Sequence, residues 1–175
     1  WGRSAEEVAL LMKLLNTALQ EEVPNLIKNS VQLSFIGDLT LFDDELVNQM
    51  KKSEESTYCD PSIKKLDLVV AASYGGRWDI INAVNKVKDS QLNRDITEDY
   101  FSNLLSTSAY SDPDLCIRTG NEIRVSNFLL WQLAYSELYF PTILWPDFDD
   151  NQFDIALEEY SKRVRRFGDK SNFQI

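Results

Sequence analysis

The chain has 175 residues, of which 43% are hydrophobic and 26% charged, a balance typical of a globular protein with its own core. Its formal net charge of -10 disfavours broad nucleic-acid binding, because that requires a basic surface that displaces counterions from phosphates. Histidine is absent and Cys59 and Cys116 lie far apart, so this stretch holds no zinc site, Ser-His-Asp triad or Cys-His dyad.

The first part of the chain predicts a helix, a strand and a second helix. Ser4 and Glu7 have capping-box spacing, and the apolar residues that follow recur at helical intervals, which predicts a helix over 5–22. Alternation in "VQLSFIGD" predicts a strand over 31–38 that closes at a glycine and an aspartate. A second helix is expected over 42–55.

The middle of the chain predicts a buried strand followed by helices. "LDLVVAA" (66–72) is a continuous apolar run, which is typical of a strand covered on both faces. It breaks at a Ser-Tyr-Gly-Gly turn, after which we expect a helix over 77–87 and another near 97–105.

The last part predicts a strand at "DLCIRT" (114–119), a helix over 127–139, a short strand at 143–145 and a helix over 151–166. Strands that alternate with helices indicate an α/β fold, with a mostly parallel sheet surrounded by helices. No linker or repeat interrupts the pattern, so a single domain over 1–175 is expected.

Polar and glycine-bearing turns follow each predicted strand, where ligands bind in open α/β sheets. The turns are Gly37-Asp38, 74–77 and 118–120. The glycine pair in the middle turn has little specificity, since a tight strand-to-helix turn explains it equally well.

The turn after the third strand carries a stronger signal. Arg118 and Arg124 flank it, and Ser126 stands where the N-cap of the predicted helix 127–139 belongs. Guanidinium groups match phosphate oxygens in pairs, and helix N-termini attract anions, so these residues predict a diphosphate site. The same spacing equally fits a structural ion pair in which Glu122 neutralises one arginine.

Glu137 lies among large apolar residues in the predicted helix 127–139. A carboxylate there is either an exposed group or a ligand for a hard cation such as Mg²⁺. Because bulky side chains cover more than one face of this helix, it is either fully buried or part of a subunit interface.

Several stretches of the sequence together resemble the cis-prenyltransferases, in particular those of the undecaprenyl diphosphate synthase type. They are "SFIGD", "SYGGRWDIINAV", "IRTGNEIRVSNFLLWQLAYSELYF", "LWPDF" and "RRFG". The resemblance covers nearly the whole chain. It implies an enzyme that adds isopentenyl diphosphate to an allylic prenyl diphosphate with cis double bonds, and a fold with a hydrophobic gorge for the growing chain.

The resemblance assigns roles by position. It implies that Arg118, Arg124 and Ser126 hold the diphosphate of isopentenyl diphosphate, and that Glu137 helps to bind Mg²⁺. Arg3, Arg118 and Arg124 would be the catalytic cations.

The start of the chain resembles the Asn-Trp-x-Arg-Pro segment of the family, which implies that Trp1 and Arg3 lie near the allylic substrate. Leu66 falls where a bulky residue limits product length, and the helix 5–22 would form part of the gorge wall. The family's Asp-Gly-Asn-x-Arg motif, whose aspartate binds Mg²⁺ and acts at the allylic diphosphate, is absent and is expected upstream of Trp1.

Three positions depart from the family pattern: Asn121 replaces a glycine, Ile123 often a histidine, and Ser73 commonly an asparagine. The loop over 54–65 is a few residues short. None of these changes removes a diphosphate contact that the resemblance implies.

Other interpretations stay open. The chain fits a non-catalytic partner subunit of a cis-prenyltransferase complex, or a synthase of short or irregular products; a Rossmann-type nucleotide binder lacks its G-x-G-x-x-G motif. We expect a homodimer through the helix 127–139, release of the lipid product at a membrane surface, and a cytoplasmic or peripheral membrane location, or a plastid location in a plant.

Overall fold

A computed structural model of the chain describes residues 4–90 and 95–163. The chain divides into two compact units, Trp1–Ala109 and Tyr110–Ile175. The expectation of a single domain over 1–175 stays a prediction, and each unit is described by itself.

The first unit alternates helices with two strands. Its elements are α1 (Ala5–Lys28), β1 (Val31–Ile36), α2 (Asp44–Thr57), β2 (Leu66–Ala71), α3 (Gly76–Asp89) and α4 (Glu98–Ser102). The strands β1 and β2 pair in parallel, in register from Val31 opposite Leu66 to Ile36 opposite Ala71. One core cluster of buried apolar side chains comprises Leu19, Leu33, Leu46, Met50 and Ala72.

The helix α1 begins as its sequence predicts. The Ser4 Oγ accepts a hydrogen bond of 3.2 Å from the backbone N–H of Glu7, which caps the first turn. The helix continues past its expected end at residue 22, through Pro24, because Val23 and Leu26 pack against the core and that packing outweighs the lost N–H of proline.

The strand β2 is only partly covered, so the prediction of a strand buried on both faces is wrong. Leu66 and Leu68 are 56% and 38% exposed, although they share a sheet face with the buried Leu33. The cause is that α1 and α2 pack against β1, which leaves apolar surface of β2 open on the same side.

Side chains of the helix α2 also accept hydrogen bonds from the backbone N–H groups on the outer edge of β1. The backbone N–H groups of Leu33 and Phe35 donate to Thr57 Oγ1 at 3.1 Å and to Glu54 Oε1 at 2.7 Å. These side chains take the place of a further strand on that edge.

The second unit contains β3 (Leu115–Ile117), β4 (Glu137–Tyr139) and α5 (Asp150–Ser161). The strands β3 and β4 pair in parallel, with Leu115 opposite Glu137. Parallel strands and intervening helices in these units confirm the predicted α/β class.

The predicted helix over 127–139 is wrong. Ser126, Asn127 and Leu129 have φ values of 44°, 65° and 44°, which a right-handed helix does not allow. A short 3-10 turn over Gln132–Tyr135 follows, and pairing with β3 then draws Glu137–Tyr139 into a strand.

The end of the second unit also differs from expectation. The predicted strand 143–145 is replaced by a 3-10 turn over Trp145–Asp147, which has a proline in its first turn. The helix α5 ends at Ser161, short of the expected residue 166. Within the part of the chain that is described, no helix combines the length and apolar character needed to cross a bilayer.

Candidate functional site: a cationic cavity after β3

A cavity of about 250 Å³ opens in the second unit, at the carboxyl end of β3. It is lined by Cys116, Ile117, Arg118, Arg124, Val125, Ser126, Phe128 and Phe140. The structure therefore brings together the three residues that the sequence assigned to a diphosphate.

Arg118 holds the turn that follows β3. Its backbone N–H donates to the carbonyl of Tyr139 at 3.0 Å, and its Nη1 donates to the carbonyl of Arg124 at 2.5 Å. The turn reverses at Gly120 and Asn121, whose φ values are 87° and 58°. Asparagine tolerates this left-handed conformation better than most residues, which explains how it can stand in place of the family's glycine.

Arg124 lines the cavity and also forms an ion pair. Its Nη2 lies 2.6 Å from Glu122 Oε2, and the two side chains are 65% and 41% exposed. The ion pair that the sequence left as an alternative is present, alongside the cavity rather than instead of it. An exposed pair of this kind contributes only about 0–1 kcal/mol, so an anion can displace it.

Ser126 reaches the cavity but caps no helix, so its predicted role as an N-cap is wrong. Without a helix at this point, no macrodipole contributes to anion binding. Attraction for an anion rests on the two guanidinium groups, supported by the serine hydroxyl.

Cys116 lines the same cavity and was not assigned to it from the sequence. Burial raises the pKa of the Cys116 thiol, and the charge of Arg118 lowers it by a smaller effect. The thiol is therefore neutral near pH 7 and places no negative charge in the cavity. Its position two residues before Arg118 on a strand was the available signal, because such residues share a face.

Glu137 begins β4, where its backbone N–H donates to the carbonyl of Asp114 at 2.9 Å. Its Oε2 accepts from Arg163 Nη1 at 2.8 Å, in a pair that is 25% and 36% exposed. Among the described residues no group of three or more acidic or cysteine side chains is arranged to hold a metal. A single carboxylate fits the usual mode of Mg²⁺, which takes one or two carboxylates and completes its shell with water and substrate phosphates.

In the first unit the carboxyl ends of β1 and β2 meet, as the sequence predicted. The backbone N–H of Asp38 donates to the carbonyl of Ser73 at 3.3 Å. Gly37 has a φ of 119°, and a Cβ there would overlap the carbonyl oxygen of Ala72, so only glycine fits. Ser73 is left-handed, with a φ of 49°, which accounts for the asparagine usual in the family at this position.

The turn after β2 is fixed by a buried carboxylate. Asp79 is 1% exposed, and its two oxygens accept from the Tyr74 hydroxyl at 3.0 Å and from the Ser106 backbone N–H at 2.9 Å. The remaining predicted site residues, Trp1 and Arg3, lie outside the described residues, as does the stretch 165–168.

The structure thus combines parallel α/β units with a cavity lined by two arginines at the carboxyl end of a strand, an arrangement suited to an anion. The family model described as putative undecaprenyl diphosphate synthase matches residues 1–168. The chain belongs to this family of prenyltransferases, which confirms the resemblance seen in the sequence.

Individual relatives agree with the family. The chain is 46% identical over 173 residues to the (2E,6E)-farnesyl-diphosphate-specific ditrans,polycis-undecaprenyl-diphosphate synthase of Photorhabdus laumondii, covering 96% of this chain and 67% of that protein. A crystal structure of lavandulyl diphosphate synthase from Lavandula x intermedia with dimethylallyl diphosphate matches with a TM-score of 0.88 and 35% identity, over 95% of this chain and 73% of that one. A probable undecaprenyl diphosphate synthase from Campylobacter jejuni matches with a TM-score of 0.85 and 34% identity, over 96% and 77%.

Proposed function

We propose that the protein condenses isopentenyl diphosphate with an allylic prenyl diphosphate to form a cis-polyprenyl diphosphate, and that Arg118, Arg124 and Ser126 hold the diphosphate of isopentenyl diphosphate. The observation that carries this proposal is the cavity in which these three residues meet. The prenyltransferase family of the chain supplies the reaction class.

The lining of the cavity suits a small amphipathic substrate. Arg118 and Arg124 offer two cations to a diphosphate, and Ser126 offers a hydroxyl. Phe128 and Phe140 add apolar surface beside these cations, which supports binding of the isopentenyl group on the same ligand. Orientation of the substrate by these contacts aligns its double bond for attack on the allylic carbon.

Glu137 is the residue that would hold Mg²⁺. The ion, when bound, supplies positive charge that stabilises a departing diphosphate. Arg163 is the charge partner of Glu137 in the structure described, and this contact orients the carboxylate. Arg3 and Trp1 remain candidates for contact with the allylic substrate.

The growing prenyl chain requires an apolar surface. Leu66 and Leu68 of β2 lie on the α1 side of the sheet and are exposed, and Leu11 and Leu14 of α1 are exposed as well. These side chains support a gorge wall in the first unit, at about 0.8 kcal/mol for each buried CH₂ of the lipid. We infer a long product built on farnesyl diphosphate, with Leu66 limiting its length.

A homodimer through the segment 127–139 is part of the proposal, although this segment is not one helix. Phe128, Leu130 and Tyr135 are 41%, 37% and 77% exposed, and together they offer apolar surface for a second copy. We further propose that the lipid product is released at a membrane surface and that the protein is cytoplasmic or a peripheral membrane protein, or lies in the plastid of a plant. Sedimentation velocity at micromolar concentration tests the dimer, and a monomer there contradicts it.

The activity test uses the natural full-length protein with labelled isopentenyl diphosphate, farnesyl diphosphate and Mg²⁺. We expect labelled long-chain product, loss of product with EDTA, and recovery when Mg²⁺ is restored. Arg118→Gln should abolish most of the incorporation, whereas Lys52→Gln, the same charge change on the exposed surface of α2, should leave it unchanged. Equal incorporation by both variants would overturn the assigned cavity.

A further inference from the structure

The two arginines of the cavity are in different electrostatic situations. Arg118 donates to a neutral backbone carbonyl, and within residues 4–90 and 95–163 no carboxylate lies at ion-pair distance from it. Arg124 instead holds Glu122, with 2.6 Å between Nη2 and Oε2. The charge of Arg118 is therefore available to an anion at once, whereas that of Arg124 is already partly neutralised.

Glu122 sits beside the cavity rather than in it. Arg124 is among the residues that line the cavity, and Glu122 is not. The carboxylate thus pairs with the Arg124 guanidinium without itself lining the cavity. With 41% of its side chain exposed, Glu122 regains water easily when the pair opens.

The loop geometry allows the exchange without rearrangement of the backbone. Arg118 fixes the carbonyl of Arg124, and Gly120 donates to the carbonyl of Ile143 at 2.8 Å, so the turn is held at two points. Only the side chains of Glu122 and Arg124 need to move. A diphosphate that enters the cavity can therefore replace the carboxylate on a preformed loop.

We propose that Glu122 is an internal counter-ion that competes with the diphosphate for Arg124 and so limits how tightly the cavity holds diphosphates. This inference rests on the proposed function and deepens it. Arg118 and Arg124 carry two positive charges and Glu122 one negative charge, which leaves one net positive charge for the anion. A synthase that extends one chain repeatedly must reload this site with isopentenyl diphosphate after every addition, and a carboxylate that reclaims Arg124 speeds the emptying of the site.

The test is calorimetric titration with inorganic pyrophosphate and, separately, with isopentenyl diphosphate. We expect Glu122→Gln to bind both about threefold to fivefold more tightly than the unmodified protein at low salt, since the competing pair is an exposed one. The gain should shrink as salt is raised. Glu55→Gln makes the same charge change on the exposed surface of α2 and should bind as the unmodified protein does.

A double-mutant cycle distinguishes competition for Arg124 from a long-range electrostatic effect of removing the Glu122 charge. In the Arg124→Gln background, Glu122→Gln should no longer tighten binding, because the shared partner is gone. Stopped-flow displacement should show that Glu122→Gln slows the release of the ligand while its association rate changes less.

Each other outcome counts against the inference. If Glu122→Gln and Glu122→Ala both bind the ligands no more tightly than the unmodified protein, the proposed competition is overturned. If both variants unfold, the Glu122–Arg124 ion pair is structural, which also overturns it. Equal tightening with and without Arg124 overturns it too. If the unmodified protein binds neither ligand, the proposed function fails and this inference with it; if it binds both and only the tightening is missing, the proposed function stands.

Discussion

Replacement of Arg124 by alanine tests the cationic cavity with little disturbance of the fold. The carbonyl that Arg118 uses belongs to the backbone of Arg124 and remains in the variant, so the turn stays closed. The substitution removes the charge-assisted contacts to the diphosphate, which contribute about 1.5–3 kcal/mol. In the variant the diphosphate no longer has to displace Glu122 from residue 124. The Arg124–Glu122 ion pair contributes at most about 1 kcal/mol, so this gain is the smaller of the two effects.

The difference leaves about 2 kcal/mol, which corresponds to roughly a thirtyfold increase in the KM for isopentenyl diphosphate. Steady-state assays with farnesyl diphosphate held at saturation measure this value. Lys162→Ala is the matched control, because it removes an exposed cation in the same unit and should leave the KM unchanged. A KM within twofold of the unmodified protein in Arg124→Ala would refute the proposed contact.

Substitutions at four further positions test the structure elsewhere. Thr57→Val keeps the shape of a side chain that is 2% exposed but leaves the N–H of Leu33 without its acceptor, so chemical denaturation should show a loss of about 1–3 kcal/mol, with Thr57→Ser as the milder control. Gly37→Ala should lower the free energy of unfolding by about 3 kcal/mol or more, since an added Cβ combines a φ of 119° with overlap of a backbone carbonyl. Gly120→Ala should lower it by only about 1–2 kcal/mol, because the added Cβ meets no neighbour within 4 Å. Leu66→Ala should lengthen the polyprenyl products, measured by chromatography, and Leu66→Trp should shorten them. Identical product lengths in both variants would contradict the proposal that Leu66 lines the gorge.

The sequence predicted the elements of the first unit well, because their signals are local. Ser4 with Glu7 marked the start of α1, and the alternation after Val31 marked β1. The exposure of Leu66 was not predictable in the same way. An apolar run indicates only that a strand can be buried on both faces, whereas coverage depends on which strand the helices pack against.

The error over 127–139 has a different cause. Ser126, Asn127 and Leu129 adopt left-handed backbone, yet only asparagine among them signals this in a sequence. The strand Glu137–Tyr139 depends on pairing with β3, a contact between residues distant in the chain. Aromatic and leucine side chains satisfy both a helix and a buried strand, so the pattern favoured the wrong element.

The candidate site was recognised from residue chemistry rather than from secondary structure. Arginine at 118 and 124 with a hydroxyl at 126 indicated an anion site although the helix assumed beside it is missing. Cys116 was overlooked because a thiol is not an obvious neighbour for a diphosphate. The ion pair of Glu122 was considered from its spacing, but whether it excluded the cavity or stood beside it required coordinates.

The most direct measurement of the central claim is a crystal structure of the full-length protein with isopentenyl diphosphate. We predict diphosphate oxygens within hydrogen-bond distance of the guanidinium groups of Arg118 and Arg124 and of the Ser126 hydroxyl, with the isopentenyl group against Phe128 and Phe140. A diphosphate bound elsewhere, with Arg124 still paired to Glu122 and the cavity after β3 filled by water alone, would contradict it.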